Sequence, residues 1–411
     1  MRKWHPERRC QLQAFLIFLM GVGHLMTEIS GGALPMLFPV LKNDFHLSYT
    51  AVSVIVQVAT LSATLTQPLF GIWSDRISSR WLLSTGCFLS ALGLAIAGWA
   101  GSFAVVLLGV LINGLGTAAF HPEASRQAFL ASDKGKAGLS LSIFSVGGSI
   151  GYGLGPLVAT MLLARAGRWG IAALLVPVAI AALVLQFAQP ALSRFNSRPG
   201  TEIKKGSTAT DQNPRATLCV LGLLVLFVTF RSWINTGVTT FMPLYYVNYL
   251  QGDPAFAGIW LTIFLLAGTL GILSGAPLAE RIGKKATLGL SFIGLIPAFI
   301  LFPYAGGLWS LVLAGWAGFF LLSSTAIAIV YAQEVLPQQV GLAASLIMGL
   351  GVGIGSLGAL LMGWIADLHG VPAALAMMAA LVPPTLLVTA LLPGEKRSPA
   401  RLLHFISGRI N

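Results

Sequence analysis

The chain has 411 residues, of which 56% are hydrophobic and only 9% charged, with 25 Lys and Arg against 13 Asp and Glu. Soluble domains carry about 25% charged residues, so this composition excludes a string of soluble domains and points to a helical bundle in lipid. The net charge of +12 raises nucleic acid as a partner, but the placement of the basic residues, given below, argues against it.

Apolar stretches of about 20 residues match a hydrocarbon layer of roughly 30 Å. They predict helices at 13–40, 48–70, 81–100, 103–125, 138–164, 170–190, 217–249, 255–279, 285–304, 307–333, 341–365 and 371–392. The basic start (Arg2, Lys3, Arg8, Arg9) runs straight into a first span too long for a signal-peptide core, so that helix is expected to stay as an uncleaved anchor. Twelve spans put both termini on one side. Every Lys and Arg lies on that side except Lys42, Arg165 and Arg168 opposite, and Arg231 within a span. The positive-inside rule then makes both termini cytoplasmic, in a multi-pass protein of the cell membrane. Cys10, Cys87 and Cys219 have neither ligand nor disulfide spacing.

The chain repeats itself at about half its length. GIWSDRISSR, from Gly71, is matched by APLAERIGKK, from Ala276. In each, an acid–Arg pair (Asp75-Arg76, Glu280-Arg281) precedes a further cation, Arg80 or Lys285. Gly138-Leu139, Gly148, Gly155 and Gly167 recur 203 residues on as Gly341-Leu342, Gly351, Gly358 and Gly370, and Pro39 recurs at Pro243. Such duplication predicts two homologous membrane halves. We expect an all-α bundle with one six-helix half at 1–190, a polar cytoplasmic linker at 191–216, a second half at 217–392 and a cytoplasmic tail at 393–411. A cavity is expected between the halves.

These residues resemble the major facilitator superfamily over essentially the whole chain. Gly71, Asp75, Arg76 and Arg80 stand where that family carries its cytoplasmic loop signature. HLMTEISGGALPMLFP from His24, GLGTAAFHPEASR from Gly114, FRSWINTGVTTFMPLYY from Phe230 and AQEVLPQQVGLAASLIMGLGVGIGSLGAL from Ala332 are similar to the fosmidomycin-resistance branch. That resemblance implies proton-coupled export of drugs and small organic compounds. Two departures stand out. Val110 replaces the Arg expected in the fourth span, and the fifth-span antiporter signature survives only as Gly151, Gly155 and Pro156, with Ser142 and Ala159-Thr160 where glycines are expected.

Glu28 lies about 14 residues into the first span, roughly 21 Å at the helical rise and so near mid-membrane. A carboxyl at such depth is costly and usually faces a cavity or a partner. It is either a site for proton loading and release or a paired structural acid. His24 shares its helical face. Arg231 lies at matching depth in the seventh span, with Asn235 one turn on. Its guanidinium suits a carboxylate or phosphonate, or else ties helices together. Gln57 in the second span, Asn113 in the fourth and Tyr152 in the fifth lie on polar stripes and complete the expected substrate-binding set. His121 and Glu123 could relay protons or anchor the end of the fourth helix. No spaced His/Cys/Asp set accompanies them, so no metal is expected.

Asp75 and Arg126 are an expected pair in a cytoplasmic gate formed with Gly71, Arg76, Arg80, Glu280, Arg281 and Lys285. Glycines 349–358 lie in an apolar span without a P-loop Lys, so no nucleotide or other cofactor is expected. No nucleophile–base set marks an enzyme. The reading is a monomeric secondary transporter with protons, a small anionic or amphipathic substrate and the bilayer as partners, working as an exporter by antiport. The alternatives are an uptake symporter or facilitator for an organic anion or metal chelate, and a non-transporting receptor or scaffold.

Overall fold

The computed structural model describes residues 6–76, 81–132, 137–192, 214–337 and 339–394. Every predicted span is helical within them. The first half comprises Pro6–Asp44, Tyr49–Arg76, Leu82–Trp99, Phe103–Ala131, Ala137–Ala166 and Leu175–Leu192. The second opens with Pro214–Leu244 and Pro254–Ile282, which are followed by four interrupted helices. The ninth is Lys284–Ile293 plus Leu295–Leu301, the tenth Gly307–Ser323 plus Thr325–Val335, the eleventh Val340–Ser345 plus Val352–His369, and the twelfth Val371–Ala380 plus Val382–Leu391. Most of the expected linker and tail falls outside the described residues, as do Arg80 and the side chains of Asp75 and Arg76.

The interruptions follow from backbone chemistry. Leu139–Leu192 is one apolar stretch of 54 residues, about 81 Å if helical throughout and far too long for one crossing. Gly167, at φ +56°, turns it into a 3-10 segment, Gly167–Leu174, and so makes two spans. In the ninth helix, Pro297 has no N–H for the carbonyl one turn earlier, and the Trp316 Nε1 donates to the neighbouring Gly294 carbonyl at 2.7 Å. Pro383 and Pro384 follow the break in the twelfth helix. π turns close the seventh helix (Tyr245–Tyr249) and interrupt the eleventh (Leu346–Gly351).

Within lipid, apolar burial does not drive helices together, and close approach through small residues takes over. Gly147, Gly151 and Gly155 form one stripe on the fifth helix. Each lies against backbone of the first: Gly21, Leu25 and the Gly32–Ala33 peptide respectively. The second half repeats the arrangement, with Gly351, Gly355 and Gly358 of the eleventh helix against Val228, Ser232 and Trp233 of the seventh. Large apolar side chains such as Phe187, Leu218, Leu308 and Trp309 face outward, as the lipid-facing surface of a bundle requires.

The halves meet through the second and eleventh helices and through the fifth and eighth. The Asp367 carboxylate in the eleventh accepts from the Tyr49 and Thr50 backbone N–H groups (2.7 and 2.9 Å) and from the Thr50 hydroxyl (2.6 Å). Deeper in, the Gln57 amide donates to the Ser356 carbonyl. Gly258 faces Thr160, and Gly153 faces Leu266. Towards the end that carries the termini, Leu65, Leu69, Ile72, Leu139, Ile143, Leu270, Leu273, Met348 and Leu350 of the same helices are exposed. Among the described residues, the hydrogen bonds that join the halves lie towards the opposite end.

A side chain at Gly151 would have to displace the Leu25 backbone, so Gly151→Leu should cost about 3 kcal/mol. Thermal unfolding of the purified protein checks this. Gly222→Ala, where an added methyl meets nothing within 4 Å, should show no loss.

Candidate functional site

The first helix is held flat against the fifth, and this fixes which way His24 and Glu28 point. The His24 ring lies over Gly148, where a Cβ would overlap it. It stacks on Phe144, with ring centroids 4.1 Å apart and planes 17° apart. Its Nδ1 donates to the Phe144 carbonyl at 2.8 Å. A carbonyl can only accept, so the proton of a neutral ring sits on Nδ1 and Nε2 keeps its lone pair. Four residues on, the Glu28 carboxylate accepts from His121 Nε2 of the fourth helix at 2.7 Å. The His24 and His121 rings meet edge to face, 4.9 Å between centroids. Tyr152 and the Glu28 carboxylate both border Gly31. The pair remains reachable, its side chains 17% (Glu28) and 28% (His121) exposed.

Glu123 belongs to a different cluster. Only 1% exposed, it takes a two-pronged grip from Arg126, Nη2 to Oε1 at 2.8 Å and Nε to Oε2 at 3.1 Å. The Ser74 hydroxyl and the Gln127 amide also donate to it. Arg126 is thus engaged with Glu123 and with Ser74, while the side chain of Asp75, its expected partner, lies outside the described residues. The arrangement ties the second helix to the fourth.

The expected substrate residues scatter. Arg231 is buried, 6% exposed. Its Nη1 donates to the Thr325 hydroxyl of the tenth helix at 2.9 Å, while its Nε has no partner among the described residues. Asn235 Oδ1, one turn on, is likewise buried and unpartnered. Asn113 donates to the Ser90 carbonyl at 2.6 Å and joins the fourth helix to the third. Gln57 is spent on Ser356 across the halves. Both amides hold helices together in this state. Gly151 and Gly155 pack on the first helix, and Pro156 accepts from the Thr160 hydroxyl through its carbonyl at 2.8 Å.

At the gate, Gly71 lies beside Pro122, and Glu280 and Arg281 are exposed. Lys285 donates to the Ala390 and Leu392 carbonyls (2.7 and 2.6 Å), capping the twelfth helix. Lys284 pairs with Glu334 at 2.7 Å. These contacts stay inside the second half. An apolar cavity of about 320 Å³ also lies within that half, lined by residues such as Ile234, Trp260, Phe264, Phe302 and Leu375. None of the expected site residues lines it. Sequence reasoning missed Asp367, Thr325 and Phe144, whose roles come from partners on other helices. An acid at the end of a span was the one available signal, at Asp367.

A profile of the Major Facilitator Superfamily matches residues 16–250 and 221–407. The chain belongs to this superfamily of multi-pass membrane transporters. It is 32% identical over 351 residues to the fosmidomycin resistance protein of Escherichia coli (strain K12), covering 85% of each chain. It is 30% identical over 387 residues to the uncharacterized MFS-type transporter YfnC of Bacillus subtilis (strain 168), covering 93% of each. Among solved structures, a bacterial homolog of the human lysosomal transporter Spinster, inward-facing and occupied, superposes with a TM-score of 0.71 at 16% identity, over 99% of this chain and 98% of that one. The nucleoside transporter NupG gives 0.66 at 14%, over 92% and 98%. These two share the fold.

Glu123→Gln leaves the Arg126 guanidinium without its carboxylate. Because Arg126 is 24% exposed, water softens the loss, and a destabilisation of about 1–3 kcal/mol is expected. An unchanged melting temperature would show that the clamp contributes nothing.

Proposed function

We propose that the chain is a proton-coupled secondary transporter that exports a small anionic or amphipathic organic compound by antiport. The observation that carries this reading is the Glu28–His121 pair, 2.7 Å apart and still reachable, inside the spans of the first half. A carboxylate and an imidazole in contact can exchange a proton and change their joint charge. Buried ionisable groups in transmembrane helices are the usual parts of such relays. Identity with a fosmidomycin resistance protein supports export of a drug-like anion, and fosmidomycin is the first substrate to try.

The basic-residue bias supports cytoplasmic termini in a protein that spans the inner membrane. With that orientation the end that bears the exposed Leu65, Leu69, Leu139 and Met348 faces inward, and we read it as the open side of the cavity. Asp367 and Gln57 then close the outer side. Arg231 Nε and Asn235 Oδ1 supply an unspent donor and acceptor one turn apart, a fit for a substrate anion with a neighbouring hydroxyl or amide. The cycle is then a trade of charge. With Glu28 ionised against His121, the anion is taken up from the inside at Arg231. After the outer bracket opens, the anion leaves and a proton arrives at Glu28. Its return releases the proton inside.

Two substitutions separate the roles. Glu28→Gln should abolish pH-gradient-driven flux in proteoliposomes yet leave substrate counterflow measurable, because exchange of substrate for substrate needs no proton. Gradient-driven flux at the wild-type rate in that variant would sink the assignment. Arg231→Gln should raise the Kd for an anionic substrate by about tenfold, the equivalent of 1.4 kcal/mol. Equal affinities of wild type and variant for the anion would remove Arg231 from the binding site.

A further inference from the structure

We infer that His24, Glu28 and His121 form a binding site for a divalent transition-metal ion of the zinc type. Sequence spacing hides the set, because His121 comes from the fourth helix and is 93 residues from Glu28. In space, one ligating atom from each residue lies within 4.8 Å of the other two. Two imidazoles and one carboxylate are a ligand set zinc uses where a fourth position is left open. Tetrahedral coordination at about 2.0–2.1 Å puts ligating atoms about 3.3 Å apart. The His121–Glu28 pair must therefore open slightly from 2.7 Å, and the third atom must close in. Rotation of the partly exposed Glu28 and His121 side chains towards the fixed His24 ring covers both.

Three further features support the assignment. The His24 Nδ1–H bond to the Phe144 carbonyl is the outer contact that orients ligating histidines and leaves Nε2 free to bind. Phe144 and Gly148 clamp the same ring in place, so little ordering remains to be done when an ion arrives. Glu28 Oε2 has no hydrogen bond among the described residues, whereas Oε1 holds His121. The ion can thus be met by an oxygen that is not already spent. A single carboxylate with two nitrogens disfavours Ca²⁺ and Mg²⁺, which ask for oxygen ligands, and favours Zn²⁺, Co²⁺ or Ni²⁺. The partial exposure of Glu28 and His121 leaves the fourth position to water or to an oxygen of an anion. An ion here takes the place of the proton between His121 Nε2 and Glu28. The binding itself rests on this geometry and not on the transport reading.

The test uses the full-length protein, purified through a tag that contains no histidine, with Co²⁺ and Zn²⁺ as probes. Co²⁺ titration should give visible d–d absorption that saturates at one ion per chain. His24→Asn and His121→Asn should each weaken binding by about tenfold or more, while His369→Asn, at the far end of the eleventh helix, should not. X-ray absorption on the Zn²⁺-loaded wild type needs no variant to fold, and should show two imidazole nitrogens in the first shell. A first shell without imidazole, or titrations identical in wild type, His24→Asn and His121→Asn, would overturn the site.

Discussion

The backbone-to-backbone contact between the first and fifth helices is the constraint on which the rest of the first half depends. Gly147, Gly151 and Gly155 let two helices approach without intervening Cβ atoms. In a bilayer, where water gives no help, that approach replaces apolar burial as the source of cohesion. It also fixes the rotation of the first helix. With Gly151 on Leu25 and Gly148 under His24, Glu28 has one direction left, towards His121. The glycines that resemble an antiporter signature therefore have a direct physical consequence: they aim the carboxylate.

The second half reuses the scaffold and changes the chemistry. Carried forward by the 204-residue spacing of Pro39 and Pro243, His24 corresponds to Val228, Thr27 to Arg231 and Glu28 to Ser232. Gly351 packs on Val228 as Gly148 packs on His24, and Gly355 packs on Ser232. Titratable groups thus gather in one half, and the unpaired guanidinium edge lies in the other. The two chemistries therefore occupy separate places in the bundle, one on the first helix and one on its counterpart, the seventh.

Much of this was legible in the residues themselves. Twelve apolar stretches, a repeat at 203–204 residues and a carboxyl deep in the first span each follow from composition and spacing. The partners do not. Whether Glu28 meets His121 or lipid depends on helix rotation, which hydropathy does not encode. Gln57 and Asn113 illustrate the same gap. An amide is costly facing lipid and so must be satisfied, but nothing in the spacing says whether a substrate or a neighbouring carbonyl satisfies it. Here Ser356 and Ser90 do. The expectation of no metal rested on spacing along the sequence, which does not reveal that His121 of the fourth helix stands beside His24 and Glu28 of the first.

The bracket between the halves shows why a bundle packed this tightly can still alternate. Asp367 accepts from the first backbone N–H groups of the second helix, donors that no helix can satisfy from within. These bonds lie at the exposed end of the bundle, so water can replace each for a net cost of about 1 kcal/mol. The Gln57–Ser356 contact beneath is buried and is costlier to leave unmade. By contrast, the glycine contacts of the fifth helix on the first, and of the eleventh on the seventh, lie inside each half and need not break. Close glycine packing also joins the halves, at Gly153, Gly258 and Gly363, but the contacts that hold the Glu28 site lie within the first half and are separate from that seam.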